Sequence, residues 1–342
     1  MNLYDMSSKK SWLGGKVMRI AMCLEPEVNS KWHYGREMGV LDGVTIRDVT
    51  TEVPIWELPT LARVQQSYQD FGFKIGVVEG WVPMNNIKLG LPEGELELER
   101  VIRVIENMGA LGIEVFCYSW MANYGWMRTS STTRLPGGAL TTSYDHSILQ
   151  KDQRAQGAVS VTEDHLWGTL ENFIKIVTPI AEKAGVKLAM HPDDPPLSPL
   201  LGVGRIMRSI DAFERLLSLS DSPANGITFC QANFAAMNAD VPATIRQLGR
   251  DGRIHFVHFR DIEGDAEHMT EAFHGQGKTD MYATIKAYRD IGFKGVMRPD
   301  HAPVMWGEPN ANPGYEGLGR IYAVGYMRGL MQAAEAEAAN AR

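Results

Sequence analysis

The sequence predicts a single (β/α)8 TIM barrel with extra loop and helical insertions, an α/β fold. Three observations lead to it: eight short runs rich in β-branched residues, longer amphipathic stretches between them, and glycines where those stretches end. The expected strands are RIAMCL (19–24), VTIRDV (44–49), KIGVVE (74–79), IEVFCYS (113–119), KLAMH (187–191), GITFC (226–230), HFVHFRD (255–261) and GVMRPDH (295–301). Helices are expected within 56–72, 96–112, 165–185 and 280–295, where apolar residues recur three and four apart. Gly72, Gly112, Gly185 and Gly292 stand just ahead of a strand, the place for a left-handed helix cap.

A length of 342 residues allows one large domain or two ordinary ones, and eight βα units without a strong linker favour one domain over 1–342. The stretch 125–160, rich in Ser, Thr and Gly, follows the fourth strand and is expected to be an irregular lid or insertion loop. The tail 331–342, MQAAEAEAANAR, is expected to be a solvated helix end.

A formal net charge of −7 leaves no basic footprint for nucleic acid, yet it is compatible with a small anionic substrate, because pocket charge is local. Three scattered cysteines do not form a disulfide framework. The first 24 residues hold no apolar run long enough for a signal peptide, and nowhere do about 18 apolar residues run together. No membrane contact and a cytoplasmic location are therefore expected. Barrels of this kind often associate, so a homo-oligomer is expected too.

Four successive strands end in potential metal ligands: His191, Cys230, His258, and Asp300 followed by His301. In a barrel the carboxyl ends of all strands converge on one face, so residues distant in sequence meet around one point. Two imidazoles, a thiolate and a carboxylate form a plausible mixed donor set for a divalent ion. Singly, each has a blander reading, since a lone strand-end His is more often structural and a buried Cys is usually a small hydrophobe. Their recurrence at one position on four strands favours the metal. Alternation puts His255 and His258 on opposite faces, so only one faces the lumen. In HPDDPPLSP the prolines fix the backbone around Asp193 and Asp194, and Asp193 is a candidate substrate contact.

HPDDPP, the FC pair, VHFRDIEG, and RPDH followed by MWGE and PGY together resemble the signature blocks of the mannonate dehydratase family. Weaker similarity runs through KWHYG, VVEGWVPMNNIK, CYSWM and WMRT, so the resemblance covers most of the chain in the same order. It implies a hydro-lyase that converts D-mannonate to 2-keto-3-deoxy-D-gluconate. It also implies Mn2+ or Fe2+ on His191, Cys230, His258 and Asp300, and an acid–base pair at His301 and Tyr315. Arg128 and Arg260 are further candidate contacts to the substrate, since a guanidinium offers a carboxylate two parallel donors. The chain departs from the family pattern at Gln231, Ala232 and Asn233, at Ala302 and Pro303, and at Ser130. Two alternatives stand beside this reading: a metal-dependent sugar isomerase or epimerase, supported by Glu79 at the end of the third strand, and a non-catalytic sugar-acid-binding relative.

Overall fold

A computed structural model describes residues 18–47, 52–152 and 160–340. Outside them lie most of the N-terminal stretch, part of the second expected strand, residues 153–159 of the 125–160 segment, and the last two residues of the tail.

The chain begins with β1 (Arg19–Leu24), α1 (Ser30–Glu37), β2 (Asp42–Arg47), α2 (Leu58–Phe71) and β3 (Lys74–Gly80). Next come α3 (Asn85–Leu89), α4 (Gly94–Leu111), β4 (Val115–Ser119), β5 (Ser130–Arg134), β6 (Leu140–Asp145), α5 (His146–Gln150) and α6 (Glu163–Ala184). The second half holds β7 (Lys187–His191), α7 (Ile210–Ser218), β8 (Asn225–Cys230), α8 (Gln231–Ala236), α9 (Val241–Gly249) and β9 (Ile254–Phe259). It ends with β10 (Ile262–Gly264), β11 (His268–Glu271), α10 (Met281–Asp290), β12 (Val296–Pro299) and α11 (Gly317–Asn340).

All eight expected strands are present, and they close a parallel barrel in the order β1-β12-β9-β8-β7-β4-β3-β2. The predicted caps are there as well: Gly72, Gly112, Gly185 and Gly292 have φ of 89°, 68°, 71° and 68°. No helix among the described residues is long and apolar enough to cross a membrane. Met331 and Ala334 are buried on α11, so the tail region 331–342 begins packed against the barrel.

Period-two alternation sorts the barrel interior into levels. Ala21, Val44, Val77, Val115, Cys117, Ala189, Phe256 and Val296 form a buried cluster of their own, distinct from the larger core between strands and helices. Stepping two residues onward keeps a side chain in the lumen and moves it toward the C-terminal mouth. From Val77, Ala189, Phe256 and Val296 that step reaches Glu79, His191, His258 and Arg298. Cross-strand register agrees, pairing His258 with Cys230 on one side and with Arg298 on the other.

The 125–160 segment is more ordered than its composition suggests. Strands β5 and β6 form an antiparallel hairpin that continues through β11 to β10 in a second, four-stranded sheet. A bridge between Leu140 and Val304 ties this hairpin to the loop after β12. SSTTR and LTTSYD lack the apolar alternation by which strands are recognised, although threonine suits extended backbone.

At the mouth, Gly80 ends β3 with φ 78°, and a Cβ there would lie 2.3 Å from the Arg47 carbonyl oxygen. Gly80→Ala is therefore expected to destabilise the protein by about 2–3 kcal/mol, read by urea denaturation. A stability unchanged within about 0.5 kcal/mol would contradict this account.

Candidate active site

A cavity of about 450 Å³ opens at the C-terminal ends of the strands, with Glu79, His191, His258, Arg298, Asp300 and His301 in its wall. His191 Nε2 lies 3.1 Å from His258 Nδ1. Asp300 Oδ2 lies 3.6 Å from His258 Nδ1 and 3.8 Å from the Cys230 sulfur. Donor atoms of His191, Cys230 and His258 all lie within 4.8 Å of one another, a grouping that could hold a metal ion.

Neighbours decide which atom of each residue faces this point. His191 Nδ1 bonds the Pro192 carbonyl at 2.7 Å, so its Nε2 carries the lone pair. His258 Nε2 lies 3.4 Å from Glu79 Oε1, which leaves Nδ1 facing the cluster. Arg298 occupies Asp300 Oδ1 at 2.6 Å and binds Glu79 at 2.9 and 3.1 Å, so Oδ2 is the carboxylate atom turned inward. Burial pushes the Cys230 thiol up, but the neighbouring His191 and His258 imidazoles and the charge of Arg260 outweigh it and bring the thiol down to about 6. Burial likewise disfavours ionised Asp300, yet His301, Arg298 and His258 hold its carboxyl well below the usual range. Two imidazoles, a thiol and a carboxylate oxygen converging on one buried point would, once deprotonated by the ion, fit a divalent metal of borderline softness.

A second group sits against this one. His301 Nδ1 is 3.0 Å from Glu271 Oε1, and its Nε2 is 3.0 Å from the Tyr315 hydroxyl. The Tyr315 hydroxyl also lies 3.4 Å from Asp300 Oδ1. Trp126 covers the imidazole at 4.8 Å between ring centroids, with 45% of its own surface exposed at the cavity rim.

Against the pair, four charged side chains close a buried ring. Arg128 grips Asp194 with bonds of 2.7 and 3.0 Å and reaches Glu271 at 2.7 Å. Arg260 binds Asp194 at 2.8 Å and clasps both oxygens of Glu271. Burial opposes both carboxylates, but the guanidinium groups outweigh it, holding Asp194 far below its ordinary range and Glu271 at about 2.

The structure thus brings His191, Cys230, His258, Asp300, His301 and Tyr315 to one place. Arg128 and Arg260 are spent on Asp194 and Glu271 rather than turned to the cavity. Asp193 is not brought to the cavity: its carboxylate accepts from the Met207 amide at 2.7 Å, and Arg205 lies 3.6 Å away. The neighbouring Asp194 lines the cavity instead. Residue reading missed Glu271, and it overlooked Arg298 although that residue stands two places before Asp300 on the same strand.

Such a barrel mouth defines a metal-dependent enzyme acting on a small polar substrate. The family model described as D-mannonate dehydratase (UxuA) matches residues 34–163 and 155–341. A mannonate dehydratase of Thermotoga petrophila is 34% identical over 313 residues, covering 82% of this chain and 86% of its own. The crystal structure of mannonate dehydratase from Streptococcus suis serotype 2 superposes with a TM-score of 0.88 at 31% identity, covering 94% of this chain and 96% of that one. The chain belongs to the mannonate dehydratase family and is a hydro-lyase. A D-tagatose 3-epimerase-like protein, at 14% identity and a TM-score of 0.63 over 94% of this chain and 100% of its own, shares the fold alone.

Removing one member of the buried ring strands its partners. Arg260→Leu leaves Asp194 and Glu271 short of a buried counter-charge, and a loss of about 3–5 kcal/mol in unfolding free energy is expected. A denaturation midpoint equal to wild type would show that the ring does not hold the mouth together.

Proposed function

We propose that this chain removes water from D-mannonate to give 2-keto-3-deoxy-D-gluconate. In this reading His191, Cys230, His258 and Asp300 hold Mn2+ or Fe2+, and His301 and Tyr315 are the acid–base pair. The observation that carries it is the 3.0 Å contact between His301 Nε2 and the Tyr315 hydroxyl, at the edge of the donor cluster.

The C2 proton of an aldonate is a weak acid, so negative charge must be stabilised as it leaves. When bound, a divalent ion supplies that stabilisation to the substrate's oxygens. Glu271 accepts the Nδ1 proton of His301, which makes Nε2 the basic nitrogen. Burial, helped by Arg260, draws His301 below its ordinary value against the pull of Asp300 and Glu271, which favours the neutral imidazole with Nε2 as the acceptor of the C2 proton. Burial pushes the Tyr315 hydroxyl above the ordinary phenol range, so it stays protonated and donates to the departing C3 hydroxide. The C2–H and C3–O bonds break, a C2–C3 double bond forms, and the resulting enol tautomerises to the 2-keto-3-deoxy acid.

Glu79, the residue that supports an isomerase or epimerase, is already bound by Arg298 and faces His258, which disfavours it as a free base. The contact between His301 and Tyr315 counts against a relative that has lost its chemistry.

Chelation should abolish turnover of D-mannonate, and Mn2+ should restore it. His301→Asn and Tyr315→Phe should each lower kcat by about 10²–10⁴ while bound-metal content stays at the wild-type level. A variant that turns over at the wild-type rate would remove its residue from the proposed chemistry.

A further inference from the structure

The active-site cavity extends well beyond the donor cluster. In the closed strand order β3 stands opposite β9 and β4 opposite β12. The loops after β3 and β4, which contribute Met84, Lys88, Met121 and Asn123 to the wall, therefore face His258 and His301 across the mouth. Lys88 is the notable group on that side. Its ammonium carries three donors and makes one hydrogen bond, to the Met121 carbonyl at 3.1 Å. Among the described residues no carboxylate lies within ion-pair distance of it, whereas the other two cations in the wall, Arg47 and Arg298, are paired with Glu27 and Glu79.

The placement of Lys88 is fixed from several sides. Glu97 on α4 accepts from the Asn86 side chain at 2.8 Å and from the Ile87 amide at 3.0 Å, holding the start of α3. From α6, the Thr169 hydroxyl donates to the Lys88 carbonyl at 2.8 Å, and His165 Nε2 bonds the Leu89 carbonyl at 2.8 Å. A one-turn helix in a βα loop is thus clamped between two long helices, and it presents a single cation to the cavity. Burial and the nearby Arg205 charge lower the ammonium to about 8, so it gains from any acceptor that enters.

We propose that Lys88 is a specificity-determining residue that donates to the hydroxyl oxygens at the end of the sugar acid remote from the reacting carbons. The inference rests on the dehydratase reading, which puts C2 and C3 beside His301. An acyclic acid of six carbons with its reacting end there directs its terminal oxygens toward α3. A four-carbon acid lacks those oxygens.

The test is steady-state kinetics of the metal-loaded enzyme on D-mannonate, with a four-carbon aldonate as competitive inhibitor. Lys88→Met is expected to raise KM for D-mannonate about 10- to 100-fold, with kcat within about threefold and the inhibition constant of the short acid unchanged. Lys88→Arg, which keeps the cation, is expected to hold KM within a few-fold of wild type. If Lys88→Met leaves KM unaltered, or weakens the short acid as much as the long one, Lys88 serves the fold and the proposal is overturned. If the wild-type protein releases no water from D-mannonate, the dehydratase reading falls first, and this inference with it.

Discussion

Arg260 lies at the end of β9 with no exposed surface, and its guanidinium joins Asp194, Glu271 and, through them, Arg128. Two cations and two anions removed from water cost several kcal/mol each, and only dense mutual bonding offsets that cost. The ring meets the condition because its charges sum to zero and each carboxylate is reached by both guanidinium groups. Its members come from the segments after β4, β7 and β9 and from β11. The barrel alone cannot complete it. The second sheet is therefore a structural requirement of the site, since Glu271 reaches His301 only because β11 pairs with the β5–β6 hairpin. The tautomer of an imidazole just after β12 is thus set by a carboxylate on the insertion after β9, which pairs with the hairpin placed between β4 and β7.

Strand alternation supplies the other constraint. Apolar side chains, most of them small or branched, fill the lower lumen together with Phe256, and one step of two residues replaces four of them with ionisable groups at the mouth. The apolar floor keeps water from below the donor cluster, so charges there act in a medium of low polarisability. Arg298 belongs to both worlds. It rises from the β12 strand between Glu79 and Asp300, neutralising charge that the floor would not tolerate and selecting the inward oxygen of Asp300.

Much of this was legible in the residues because a parallel barrel converts sequence position into depth. The endings of four strands pointed to the side chains that meet at the mouth, and alternation on β9 separated His258 from His255, whose burial away from the lumen draws it down to about 3. Depth was legible, but direction within loops was not. Asp193 and Asp194 are adjacent in one turn, and only the folded chain shows that the second meets the guanidinium groups while the first caps the Met207 amide. Glu271 carried no local signal, because its significance comes from a pairing with a hairpin more than a hundred residues upstream. Arg128 and Arg260 were recognised as carboxylate partners, yet residue type cannot tell a substrate carboxylate from a protein one. The Thr-rich strands β5 and β6 were hidden because polar residues on both faces leave no alternation to read.

The distribution of parts along the chain carries a further consequence. Every side chain in the donor cluster and in the His301–Tyr315 pair comes from β7 onward. The facing wall of the cavity is built by the loops after β3 and β4, in the first half. From that half Glu79 and Cys117 approach the donor cluster, both at His258. The donor cluster and the His301–Tyr315 pair are thus carried by one half-barrel, whereas the facing wall, with Lys88, belongs to the other. Under the proposal for Lys88, changes in the α3 loop alter what fits without moving the atoms that react. Changes at β9 or β12 alter both, because those strands also carry the ring and the floor.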